Sequence, residues 1–168
     1  MNRDLKRYVV EGFIIVSVLG TVFHFVYDFL GQNFFIGFFF PVNESTWEHM
    51  KLVFIPMWLY SFYGRRFIGK SKAADFAMRY GAIMGTWFVP FIFYSYRGIL
   101  GFGAQWLDIA TFYVSVFMAF VVEYHILKYS SRRPWNFCNK ITLVFNLLQL
   151  AAFIVFTYLP PNLGIFKL

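Results

Sequence analysis

Charge is what this chain has least of. Charged side chains make up 14% of its 168 residues, against roughly 25% in an ordinary soluble domain. Acids are the scarcer sign, with eight Asp and Glu to fifteen Lys and Arg. That supply excludes a surface wetted on all sides. There is one cysteine, Cys138, expected in a cytoplasmic loop, and it excludes an internal disulfide, a thiolate metal cluster and redox chemistry by paired thiols. The sequence shows no repeat, no low-complexity stretch and no linker, so its length suits one transmembrane domain over residues 1–168. What remains is apolar: 60% hydrophobic, 24% aromatic, 25 Phe and a mean hydropathy of +0.59. These values predict an integral membrane protein.

A crossing helix needs about 20 apolar residues. Five segments qualify, roughly Tyr8 to Leu30, Glu44 to Tyr63, Ala74 to Tyr96, Leu107 to Tyr129 and Lys140 to Leu159. The predicted fold class is an all-α, polytopic transmembrane helix bundle of about five spans. The stretch Gln32 to Pro41 is apolar but too short to cross, and suits a re-entrant or interfacial segment. The first apolar run follows basic residues as in a signal peptide, yet it is too long and lacks a small-residue cleavage site, so it reads as a retained span.

The net charge of +7 raises the question of nucleic acid, and the placement of the bases argues against it. Arg3, Lys6 and Arg7, then Arg65, Arg66, Lys70 and Lys72, then Lys128, Arg132, Arg133 and Lys140 each flank the end of an apolar run. Alternate loops are nearly free of them. This is the positive-inside pattern. It puts the N-terminus inside, the C-terminus outside and the basic groups against anionic lipid, as in a bacterial cytoplasmic membrane.

Polar residues within the spans keep helical spacing. Ser17, Thr21, His24, Asp28 and Gln32 form one stripe, Asp108, Thr111, Ser115, Ala119 and Glu123 a second, and Asn139, Thr142, Asn146 and Gln149 a third. Hydroxyl and amide residues at this spacing commonly glue helices together, and Gly81-x-x-x-Gly85 suits close packing. Ionisable groups cost about 2.5–3.5 kcal/mol each at the bilayer centre and normally face a bundle interior or a wet cavity. The stripes thus predict a polar interior between the first, second, fourth and fifth helices.

Eleven residues concentrate the chemistry: Pro41-Val42-Asn43-Glu44-Ser45-Thr46-Trp47-Glu48-His49-Met50-Lys51. The predicted topology places Glu44, Glu48, Asp28, Asp108, His24 and His49 at outer helix ends. His24 and Asp28 share one helical face, as do Glu44 with Glu48 and Ser45 with His49 if the second helix begins at Glu44. With a rise of about 1.5 Å per residue the two imidazoles come level. His24, Asp28, His49 and Glu48 are therefore candidate ligands for a divalent metal, zinc foremost and Mn or Fe next, since imidazole and carboxylate suit these ions. Glu44 or Glu48 is the candidate general base and Ser45 an oxyanion donor or supporting group.

Structural readings apply to the same residues. Asn43 or Ser45 can cap the second helix, and Ser45-x-x-Glu48 has the form of a capping box. Glu48 and Lys51 are one turn apart and expected to pair, as are Asp75 and Arg79. A His24–Asp28 contact can be purely structural. Arg97 is a candidate headgroup anchor or partner of Asp108. Glu123 is expected to neutralise Arg79 or, facing a cavity, to extend the polar path inward, while His125 points away from the stripe. Asn43, Lys51, Arg97, Asp108 and Glu123 form the expected secondary cavity.

His24-Phe-Val-Tyr-Asp28 and Pro41-Val-Asn-Glu-Ser-Thr-Trp-Glu-His49 together resemble a family of small bacterial membrane proteins of unknown function. The likeness covers most of the chain and implies a polytopic membrane protein without an assigned activity. Ser45-x-x-x-His49 also looks like an element of the seven-helix zinc hydrolases that include alkaline ceramidases and the adiponectin-receptor group. That resemblance implies that His49 is a zinc ligand and Ser45 its neighbour, although this chain has about five spans and no His-x-x-x-His near its C-terminus. Two functions are expected to compete: a metal-dependent hydrolase acting on a lipid or other amphiphile, and a transporter or substrate-binding membrane subunit for a small solute or ion.

Overall fold

The computed structural model describes residues 3–129 and 135–167, the Asn136 side chain excepted; Arg132 and Arg133 lie outside them. Five helices follow one another: α1 (Arg3–Phe29), α2 (Thr46–Ile68), α3 (Lys72–Leu100), α4 (Gln105–Lys128) and α5 (Trp135–Tyr158). No strand occurs among the described residues. Helices α1, α3, α4 and α5 are each long and apolar enough to cross a membrane. The fold is a helical membrane bundle, and the chain is an integral membrane protein.

Helix α2 is the exception that organises the rest. Glu48, Lys51, Arg65 and Arg66 dilute its hydropathy, yet thirteen of its 23 residues are buried. A helix of that composition enters a bilayer inside a jacket of others, and α1 and α3 supply it. Pro56 sits mid-helix and withdraws the donor that the Leu52 carbonyl would otherwise use. Gly20 of α1 passes over that carbonyl so closely that a Cβ there would stand 2.5 Å from the oxygen. Only glycine fits the crossing.

Cross-helix contacts fix the directions. Tyr60 of α2 donates to the Tyr8 carbonyl of α1 at 2.6 Å, while His24 faces His49 at the other end, so α1 and α2 are antiparallel. Gly81 and Gly85 of α3 meet Glu123 and Ala119 of α4, and Arg97 meets Asp108, so α3 and α4 are antiparallel too. Arg79 pairs with Asn139 and Trp87 with Gln149, which makes α3 and α5 parallel. The up-down order brings Arg3, Lys6, Arg7, Arg65, Arg66, Lys70, Lys72, Lys128 and Lys140 to one end, hereafter the basic end. The His-bearing end is opposite.

The polar stripes line seams between neighbours rather than a shared interior. Thr21 Oγ1 lies 3.1 Å from Tyr113 Oη across α1 and α4. The stripe on α5 faces α3 and not α1, α2 and α4 as expected: Asn146 Nδ2 donates to the Arg79 carbonyl at 3.2 Å, and Trp87 Nε1 to Gln149 Oε1 at 3.1 Å. Pairing also differs. Asp75 accepts from Arg65 at 2.8 Å instead of from Arg79, because the short α2–α3 connection brings the end of α2 against the start of α3. Glu123 is buried and takes the Tyr8 hydroxyl, not Arg79. Cys138 lies exposed in the first turn of α5 and not in a loop. The apolar segment 32–41 forms one 3-10 turn, Ile36–Phe38, laid over the end of α5. Tyr158 donates its hydroxyl to the Phe34 carbonyl at 2.7 Å, and the two rings stack with centroids 4.4 Å apart.

Candidate metal centre

The site begins with how α2 starts. Ser45, one of the two expected caps, is the N-cap, with extended backbone at φ −68° and ψ 152°, and the helix begins at Thr46 rather than Glu44. Its Oγ accepts from the Glu48 amide at 3.4 Å, one of the orphan donors of a first turn. The returning half of a capping box is missing, because Asn43 Oδ1 already accepts from the Ser45 amide at 2.9 Å. Glu48 reaches further back and accepts from the Val42 amide at 3.0 Å. Glu44 therefore sits in the bend ahead of the helix, with its side chain 70% exposed, and meets α1.

There it meets two imidazoles. Glu44 Oε1 lies 3.6 Å from His24 Nε2, and Glu44 Oε2 lies 3.4 Å from His49 Nε2. The rings stand 5.3 Å apart. One ligand atom from each of the three residues lies within 4.8 Å of the others. Ligands at about 2.0–2.1 Å in tetrahedral array stand roughly 3.3–3.4 Å apart, so the carboxylate spacings match those around one ion. His49 Nδ1 is 3.0 Å from the Ser45 carbonyl. A carbonyl only accepts, so that nitrogen carries the proton and Nε2 keeps the lone pair that binds metals. His24 Nδ1 is buried without a partner among the described residues. Both rings are half-buried, which leaves one side of the group open.

The remaining candidates stand elsewhere. Asp28, on the same stripe as His24, is exposed and accepts from Gln32 Nε2 at 2.9 Å. Glu48 turns away into the protein. Its Oε2 accepts from Lys51 Nζ at 2.6 Å, and Thr157 Oγ1 lies 3.0 Å from its Oε1. Lys51 spends its other two protons on the Gly37 carbonyl at 2.8 Å and Thr157 Oγ1 at 2.6 Å. The pair is fully buried and every ammonium proton is used, so this is a lock between α2, α5 and the 32–41 segment. Burial tells against a free charge on Lys51 and the carboxylate answers it. Ser45 contributes its carbonyl to the site and its hydroxyl to the helix cap. Asn43 is exposed and shapes the turn. Arg97 lies 3.3 Å from Asp108 and stacks on Phe93, while Tyr96 donates to the same carboxylate. That cluster ties α3 to α4. Glu123 sits with Tyr8 in the half of the bundle nearer the basic end. His125 is exposed and stacks on Tyr129. The expected secondary cavity is thus three separate contacts.

Three partners had no sequence signal. Thr157 lies 106 residues from Lys51, and the Gly37 acceptor is a backbone atom. Tyr8 is one aromatic residue among many.

No curated protein and no solved structure matches the chain, so the likeness to the seven-helix zinc hydrolases is not shown. A family model matches residues 1–168, the whole length, and the protein belongs to that family, a family of unknown function (DUF6512).

Proposed function

We propose that His24, Glu44 and His49 hold one divalent metal ion, zinc first, and that the chain is a metal-dependent hydrolase for an ester or amide of a lipid or other amphiphile. The observation that carries this reading is the convergence of two Nε2 atoms and one carboxylate from separate elements, with His49 oriented by the Ser45 carbonyl. Two histidines and a carboxylate leave a fourth position for water, and a bound metal would lower the pKa of that water and polarise the scissile carbonyl. Glu48 is committed to Lys51 and Glu44 to the ligand set, so neither carboxylate expected as general base is free for that role. Aromatic residues surround the site. Phe25 packs edge-on against His24, and Phe25 and Phe29 are exposed at 63% and 87%. A substrate there keeps its apolar part in lipid. The charge pattern suits a bacterial cytoplasmic membrane with this site on the outer side.

Purified protein tests the reading. One zinc per chain is expected, lost in His24→Ala and His49→Ala, together with hydrolysis of a fluorogenic amphiphilic ester that stops with chelator and returns with zinc. No stoichiometric metal in the wild type, or equal metal in His49→Ala, would overturn it.

A further inference from the structure

Near the basic end, α2 and α5 scarcely touch. The gap between them, floored by α3, is a cleft of about 100 Å³. One water needs about 10–15 Å³, so the cleft has room for a polyatomic anion. Its polar wall holds Arg65 and Arg79 with one acid, Asp75. Asp75 takes a single proton from Arg65, and Arg65 Nε is buried with no partner among the described residues. Arg79 has no carboxylate partner among the described residues. It donates only from Nη1, to the amide oxygen and carbonyl of Asn139. The cleft thus holds two guanidinium groups and one carboxylate, which only Arg65 takes, and donors on both are unused among the described residues. The other wall is apolar: Trp58, Phe62 and Leu143 line it, and Phe62 is 62% exposed.

Guanidinium forks match phosphate oxygens, and an apolar lateral wall matches an acyl chain. We infer that this cleft binds the phosphate of an anionic phospholipid, with the headgroup against Arg65 and Arg79 and a chain along Trp58, Phe62 and Leu143. The inference is independent of the metal site, which lies at the opposite end of the bundle. Phosphate as such also fits two arginines. The apolar wall is what selects the lipid.

The test is native mass spectrometry of detergent-purified protein offered phosphatidylglycerol, phosphatidylcholine or inorganic phosphate. Phosphatidylglycerol retention above phosphatidylcholine is expected, with about a tenfold weaker affinity in Arg79→Gln, the loss of one charge-assisted contact. Leu143→Trp keeps both arginines and narrows the cleft, and should lower retention in protein of unchanged helicity and elution volume. Equal retention of the two lipids, or full retention in Arg65→Gln/Arg79→Gln, overturns the inference. Stabilisation by inorganic phosphate equal to that by phosphatidylglycerol overturns the lipid assignment.

Discussion

The carbonyl oxygen of Ser45 lies 3.0 Å from Nδ1 of His49, one turn further along α2. The two halves of Ser45 thus do different work, and a substitution separates them. Ser45→Ala removes the hydroxyl that caps the Glu48 amide and keeps the carbonyl. It should lower stability by about 0.5–2 kcal/mol and leave metal affinity unchanged. Thermal unfolding in detergent and metal competition measure the two effects. A large drop in affinity would assign the hydroxyl to the site itself.

Metal binding should weaken in acid. The ion needs both Nε2 lone pairs, and protons compete for them. Each proton that the ion must displace weakens affinity about tenfold per pH unit as the solution is made more acid. Zinc titrations from neutral to acid pH should approach a slope of two, one proton for each imidazole. A flat profile would remove both imidazoles from the ligand set.

Glu48 and Lys51 should behave as a unit. Lys51→Met leaves a buried carboxylate without its cation, and the expected loss is about 3–5 kcal/mol. Glu48→Gln with Lys51→Met should cost less than the sum of the single changes. Additive losses in that double-mutant cycle would show that the pair is not coupled.

The α3–α4 seam offers a rescue. A Cβ at Gly85 would stand 2.7 Å from the Ala119 Cβ, so Gly85→Ala should destabilise by about 1–3 kcal/mol through overpacking. Ala119→Gly in the same chain makes room and should recover most of that loss. Failure to recover would place the clash elsewhere.

Much of the bundle was legible in the sequence, because hydropathy over 20 residues is a strong signal. The His24–His49 approach was legible as well, since a helical rise is fixed and both residues lie a countable distance from their helix ends. Glu44 and Glu48 were harder to tell apart. A helix begun at Glu44 puts both carboxylates on one face, whereas the extended backbone of Ser45 starts it two residues later. Glu44 then turns towards the histidines and Glu48 inward. Which helix would lie beside which was not legible at all. Thr, Asn and Gln at 3.6-residue spacing look alike whether they meet α2 or α3, and so α5 was expected in a polar interior that it does not join.

Helix α2 has a further consequence for how the protein is made. Its 23 residues carry Glu48, Lys51, Arg65 and Arg66, and a nascent helix with that load has little reason to leave the translocation machinery alone. Lys51 finds its three acceptors only once Gly37 and Thr157 are in place, and Thr157 is synthesised 106 residues after it. Biogenesis therefore has an order written into it. The second helix must wait beside the first, and the charge at its head is sheltered only when the fifth arrives.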